Sequence, residues 1–216
     1  MVHRSGQRER LGGVYLVTSA KRPVSRLAGI VDAALEGGVT MVQFRDKGEF
    51  TGRERIDAAR AIQRVCRDHG APFLVNDDPN LARRLHADGI HVGRGDPSPR
   101  VARSLVGPEA IVGVTVYGSP GEEEGAVKAG ADYIAVGTFF PSVTKPDKPV
   151  LSLSVLDEVV ARSHLPVFAI GGITAERAAI LVRHGVAGVA VVSAIMDAED
   201  PRRAAKEIRQ AFERKA

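Results

Sequence analysis

Four times along this chain a helix-like stretch ends in a turn of small residues and runs straight into an apolar segment. The four are Glu36-Gly37-Gly38-Val39-Thr40, His86-Ala87-Asp88-Gly89-Ile90, Ala129-Gly130-Ala131-Asp132-Tyr133 and His184-Gly185-Val186-Ala187-Gly188. A recurring phrase of helix end, turn and strand start restricts the fold to those in which strands and helices alternate. The whole chain keeps the alternation. Short apolar, β-branched runs predict strands at 14–17, 41–44, 73–75, 89–92, 111–116, 133–136, 167–170 and 188–192. Amphipathic stretches predict helices at 24–36, 52–69, 79–86, 99–105, 121–129, 154–162, 175–184 and 201–213. Most strand candidates are apolar throughout, as expected of strands covered on both faces in a parallel sheet. Glycines at 37, 70, 107, 130 and 185 follow helices where a left-handed turn would stop them. Eight such units in 216 residues favour a closed barrel over an open doubly wound sheet. The expected fold is therefore α/β, a single-domain (β/α)8 TIM barrel over residues 12–216, preceded by a flexible N-terminal tail at 1–11.

Composition narrows the partners. With 44% hydrophobic residues the chain can bury one full core. The net charge of +4 comes from basic residues interleaved with acidic ones, as in Gly52-Arg53-Glu54-Arg55-Ile56-Asp57, which reads as a solvated helix face. There is no basic stripe with interleaved aromatics, so no nucleic-acid partner is expected. The first ten residues lack the apolar stretch of a secretory signal, and no run reaches the length of a membrane span, so no membrane partner and a cytoplasmic location are expected. The single cysteine, Cys66, lies in an apolar-periodic run and reads as a buried thiol with no internal disulfide. A homo-oligomer is compatible with the sequence, which does not fix the oligomeric state.

Active sites of such barrels lie at the carboxyl ends of the strands, and here those ends are polar. After the sixth strand, Gly137-Thr138-Phe139-Phe140-Pro141-Ser142-Val143-Thr144-Lys145 gathers hydroxyls and an ammonium suited to an anion. Gly171-Gly172, after the seventh, either turns the chain or lets backbone N–H groups approach a phosphate. The eighth strand ends at Val192-Ser193 and the fifth at the hydroxyl of Thr115. Gln43, Arg45 and Lys47 alternate, so a continuing strand would point all three into the barrel mouth, paired with acids or aimed at an anion. Asp77 and Asp96 end adjacent strands and suit a magnesium ion that keeps waters and takes its other ligands from phosphate. Asp78, just before Pro79, reads as a helix cap; for Asp96, before Pro97, cap and ligand are both open. Three cations beside a metal pair exceed what one monophosphate needs and point to a diphosphate leaving group.

In combination and in order, these motifs resemble the thiamine-phosphate synthase (thiamine-phosphate pyrophosphorylase) family from about Val14 to Ile195. Gln43-Phe44-Arg45-Asp46-Lys47 is similar to its Q-x-R-x-K signature, which the resemblance implies holds a pyrimidine diphosphate together with Asn76, Thr115 and Lys145. Asp77 and Asp96 take the place of its magnesium ligands, and Pro141-Ser142-Val143-Thr144-Lys145 resembles its P-T-x-T-K loop. The resemblance implies that Ser142, Val143, Thr144, Gly172, Val192 and Ser193 surround a thiazole phosphate. The implied reaction is Mg2+-dependent condensation of 4-amino-2-methyl-5-hydroxymethylpyrimidine diphosphate with 4-methyl-5-(2-phosphoethyl)thiazole, small-molecule substrates, to thiamine phosphate and diphosphate. It would pass through a pyrimidine cation, with Arg45, Lys47 and Lys145 stabilising the leaving group. Four positions depart from the family pattern: Ser142 for threonine, Thr115 for serine, Arg94 for glutamine and Tyr117 for histidine. The hydroxyls survive the first two. Arg94 either adds affinity for an anion or salt-bridges at the rim, with the rim preferred. Tyr117 weighs against the thiazole tautomerases, a sister group that uses a histidine there. That isomerase activity and a non-catalytic phosphate-binding barrel are the alternative readings.

Overall fold

A computed structural model describes residues 11–19, 22–142 and 149–213. Eight strands run β1 (Gly13–Val17), β2 (Val39–Phe44), β3 (Phe73–Asn76), β4 (Gly89–Val92), β5 (Ile111–Val116), β6 (Tyr133–Val136), β7 (Val167–Ile170) and β8 (Gly188–Val191). Each pairs in parallel with its sequence neighbour, and β8 pairs back onto β1 through Val14↔Val189 and Leu16↔Val191, closing the barrel. The expected TIM barrel is therefore the fold of the chain.

Parallel neighbours require crossovers, and the amphipathic stretches supply them as helices. These are α1 (Val24–Glu36), α2 (Gly52–Asp68), α3 (Pro79–Leu85), α4 (Pro99–Val106), α5 (Glu122–Lys128), α6 (Leu153–Arg162), α7 (Ala175–Arg183), α8 (Ser193–Met196) and α9 (Pro201–Glu213). The short α8 departs from the sequence expectation, which carried β8 through residue 192. One turn of helix is too brief for a 3.6-residue apolar pattern to register. Gly37 also departs, because it keeps a right-handed φ of −74° and Gly38 takes the positive one at 101°. His86 makes a left-handed turn without glycine, at φ 50°. No helix among the described residues is long and apolar enough to cross a membrane.

Side-chain alternation along the strands builds two cores. On β1, Val14 and Leu16 point outward beneath the helices, while Tyr15 and Val17 point into the barrel. The outer core holds the leucine, isoleucine and valine faces of the helices and also Cys66, a free and buried thiol whose pKa burial pushes up to about 12. The inner core is aromatic: Tyr15, Tyr133 and Phe168 meet edge to face with centroids 5.1 to 5.8 Å apart. Gly113 on β5 makes this possible, since a Cβ there would overlap the Tyr133 ring.

Candidate active site

The carboxyl ends of the strands surround a cavity of about 280 Å³. β2 ends at Phe44, but the chain stays extended enough for Gln43, Arg45 and Lys47 all to line the cavity. The residues between them face the other way, as the two-residue period demands. Phe44 is buried in the outer core. Asp46 has a side chain only 2% exposed; it lies 3.1 Å from Arg55 Nε and accepts from the backbone N–H groups of Glu49 at 2.8 Å and Phe50 at 3.3 Å. The expectation that Phe44 and Asp46 contribute to the substrate surface is corrected accordingly: their side chains do not line it.

After β3 and β4 the acidic corner forms. Asn76, Asp77 and Asp96 line the cavity, and Asp77 sits there with a positive φ of 63°, an uncommon conformation for a residue with a side chain. Its amide donates to His91 O at 2.8 Å across the β3–β4 register, which fixes that conformation. Lys47 Nζ donates to Asp77 Oδ2 at 2.5 Å, and Asp96 Oδ2 accepts from Gly93 N at 2.8 Å. Burial works against charge on Asp77, yet the hydrogen bond from Lys47 and contacts with Asp96 and Asn76 hold its carboxyl below the usual range. Asp96 is pushed up by burial and by the carboxylate of Asp77 beside it. Two carboxyl groups in contact, one held ionised and the other resisting, form a corner that a further cation would relieve.

The cap assignments separate. Asp78 accepts from Leu81 N at 3.0 Å as the cap of α3 and from Arg55 Nη1 at 2.9 Å, the role its place before Pro79 predicts. α4 is capped by Ser98, which accepts from Val101 N at 3.3 Å, so Asp96 faces the cavity instead.

On the opposite side, Ser142, Gly172, Val192 and Ser193 line the cavity where β6, β7 and β8 end. Gly172 has φ 63°, and a Cβ there would run into the carbonyl oxygens of Phe140 and Pro141. Its own carbonyl accepts from Arg177 Nη1 at 2.5 Å, and that guanidinium lies 4.9 Å from the Phe140 ring centroid. The β6 loop is thus locked to the β7 loop, one of the two that commonly hold a phosphate in barrels of this kind. Val143, Thr144 and Lys145 lie outside the described residues. Arg94 salt-bridges Glu122 at 3.0 Å and covers the Tyr117 ring at 4.2 Å, at the rim as its sequence position suggested, while still bordering the cavity.

Sequence reasoning missed the polar row beneath this floor. Gln43 Nε2 donates to Tyr15 Oη at 2.5 Å, the Tyr15 and Tyr133 hydroxyls lie 2.9 Å apart, and His91 joins Tyr133 Oη through Nδ1 at 2.9 Å and Thr115 Oγ1 through Nε2 at 2.8 Å. The available signal was three polar side chains, Tyr15, His91 and Tyr133, at inward-facing positions of otherwise apolar strands.

Known proteins resemble this chain in sequence and fold. The family described as Thiamine monophosphate synthase matches residues 14–195. The thiamine-phosphate synthase of Thiobacillus denitrificans is 44% identical over 201 residues, covering 93% of this chain and 95% of that protein. The thiamine-phosphate synthase of Bacillus velezensis is 40% identical over 205 residues, covering 93% and 91% respectively. The structure of thiamine phosphate pyrophosphorylase from Pyrococcus furiosus superposes with a TM-score of 0.84 at 36% identity, covering 96% of this chain and 98% of that one. Likeness of this extent, over a barrel whose mouth carries Arg45, Lys47, Asp77, Asp96 and Gly172, makes the chain an enzyme that belongs to the thiamine-phosphate synthase family.

Proposed function

We propose that the cavity binds 4-amino-2-methyl-5-hydroxymethylpyrimidine diphosphate on its β2–β5 side and 4-methyl-5-(2-phosphoethyl)thiazole on its β6–β8 side, joining them into thiamine phosphate with release of diphosphate. The observation that carries this reading is the two-sided mouth. Arg45, Lys47, Asp77 and Asp96 face Ser142, Gly172 and Ser193 across one cavity, so two phosphorylated molecules can meet end on. Arg45 and Lys47, with Lys145 from the resemblance, would bind the diphosphate and stabilise its charge as it leaves. Asn76 and Thr115 add polar contacts on the same side. The thiazole nitrogen is itself the nucleophile and requires no base, which fits a mouth whose described charged groups are suited to gripping anions.

The donor set suits Mg2+. Two carboxylates in contact hold a hard divalent ion through few protein ligands and leave positions for waters and phosphate oxygens. When bound, the ion would neutralise charge on the leaving diphosphate. Asp77 and Asp96 would hold the ion, and Lys47, which donates to Asp77, would be placed to bind the diphosphate. The electron-rich aminopyrimidine supports a dissociative path through a pyrimidine cation. The protein is proposed to act in the cytoplasm on these small molecules.

Mixing both substrates with and without magnesium, and following thiamine phosphate by mass together with diphosphate, tests the proposal. Product that forms and disappears on chelation is the expected result. Isomerisation of the thiazole alone would transfer the assignment to the tautomerases, and a folded protein that yields neither product would leave a binding barrel.

A further inference from the structure

The row from Gln43 to Thr115 has a direction. Both phenols are fully buried, and burial lifts their pKa values far above neutrality, so each keeps one proton to donate. Gln43 Nε2 donates to Tyr15 Oη, so the Tyr15 hydrogen goes to Tyr133. Tyr133, already accepting, gives its own hydrogen to His91 Nδ1. His91 is then the Nε2–H tautomer and donates to Thr115 Oγ1. Two groups are left pointing at the cavity. The Thr115 hydroxyl hydrogen is free to donate, and Gln43 Oε1, which makes no hydrogen bond among the described residues, is free to accept. Rotating the Gln43 amide would reverse every link at once, presenting an N–H at one end and hydroxyl lone pairs at the other. No single link can reverse alone. A lone reversal sets two donors or two acceptors face to face in a buried site, where an unmade hydrogen bond is costly.

We propose that this row is a polarity relay. A diphosphate oxygen accepting from Thr115 fixes Gln43 as an acceptor, and the site therefore selects a pyrimidine carrying an amino group over the same ring carrying an oxo group. The inference rests on the function proposed above. Tyr15, Tyr133 and His91 are positioning residues in it: Tyr133 lies behind the cavity lining and acts through its neighbours. The relay explains why polar side chains interrupt the inner core, where apolar ones would fill the same space without the need for partners.

Tyr133→Phe tests this, because it removes one oxygen while keeping the ring that packs on Tyr15 and Phe168. In that variant the Tyr15 hydroxyl can turn to Gln43 Oε1 and rotate the amide. The measurement is kcat/KM for the aminopyrimidine diphosphate against its 4-oxo counterpart. The native enzyme should favour the amino substrate by ~10³ or more, as a hydrogen-bonding site does. Tyr133→Phe should lower that ratio at least about tenfold while KM for the thiazole phosphate stays within about twofold. Circular dichroism and the thermal midpoint check folding, and Thr115→Val, which removes the donor end, should shrink the same ratio if Tyr133→Phe fails to fold. A folded variant with an unchanged ratio overturns the relay. Calorimetry with fragments tests it without turnover. In the native protein inorganic diphosphate should tighten the aminopyrimidine alcohol and weaken the oxo alcohol, and in Tyr133→Phe the coupling should vanish. If the native protein makes no thiamine phosphate yet shows this coupling, the functional reading fails and the relay stands; absent coupling in the native protein sinks the relay.

Discussion

Gly172→Ala should separate the two halves of the cavity. If the Gly171-Gly172 backbone approaches a phosphate, the simplest expectation is that a side chain at 172 presses on it. The structure points the new Cβ elsewhere: it would sit 2.7 Å from Phe140 O and nearer still to Pro141 O. Cβ atoms essentially never approach an atom within 3.0 Å, so the Phe140 carbonyl must retreat by at least about 0.3 Å and Pro141 by more. Ser142 follows directly and moves with them. The left-handed φ of 63° adds roughly 1–2 kcal/mol for a residue with a Cβ. Loss of glycine freedom in the unfolded chain offsets about 0.4–1 kcal/mol of it. With the carbonyl clash included, the net destabilisation is about 1–3 kcal/mol. At roughly 2–4 °C per kcal/mol for a chain of this size, the thermal midpoint should fall by about 2–12 °C. Initial rates with each substrate varied in turn should show KM for thiazole phosphate raised about tenfold, equivalent to ~1.4 kcal/mol, with KM for pyrimidine diphosphate within about twofold. Gly172→Asn is the control. Asparagine tolerates the left-handed region but carries the same Cβ, so it should recover midpoint more than KM. Equal rises for both substrates would refute the loop argument in favour of general distortion of the barrel.

Asp77→Asn and Asp96→Ala should each cut turnover by ~10²-fold or more and move the magnesium titration to higher concentration, since each removes a donor from a site with few protein ligands; wild-type rate at low magnesium would return the residue to a structural role. Gly113→Ala should destabilise by more than ~3 kcal/mol or abolish folding in denaturant titration, because its methyl overlaps the Tyr133 ring inside the closed barrel. A trifluoromethyl substituent on the pyrimidine should slow the single-turnover chemical step severely with binding nearly intact; a normal chemical rate would replace the cation by direct displacement. Lys145→Ala should lower that chemical step by ~10²-fold if its contact strengthens as diphosphate leaves.

Much of the fold was legible because its signals are local. The amphipathic period, Pro79 and Pro99 at helix starts and glycines at helix ends bracket most elements to within a residue or two. Where the reading slipped, the deciding contact was distant. Gly37 keeps right-handed φ and packs closely on the backbone of Arg202 in α9, and neither chain segment announces the other. His86 holds a left-handed turn because its N–H bonds back to Ala82 O and Arg83 O, a gain that a residue-by-residue preference does not weigh.

The same division runs through the site. Alternation along β2 places Gln43, Arg45 and Lys47 on the cavity side, and applied strictly it also turns Phe44 and Asp46 away; the motif as a block did not respect that period. Alternation likewise marks Tyr15, His91 and Tyr133 as inward-facing, yet it cannot say that they touch. Tyr15 and Tyr133 are 118 residues apart, and β1 comes to face β6 inside the barrel only when β8 closes on β1; His91 and Tyr133 are 42 apart and meet across β5, where Gly113 carries no side chain. A polar group pointing inward needs a partner whatever the topology, so the existence of some network follows from sequence. Its membership follows from closure, and its direction follows from the last link, where the amide of Gln43 must choose which of its two atoms the cavity sees.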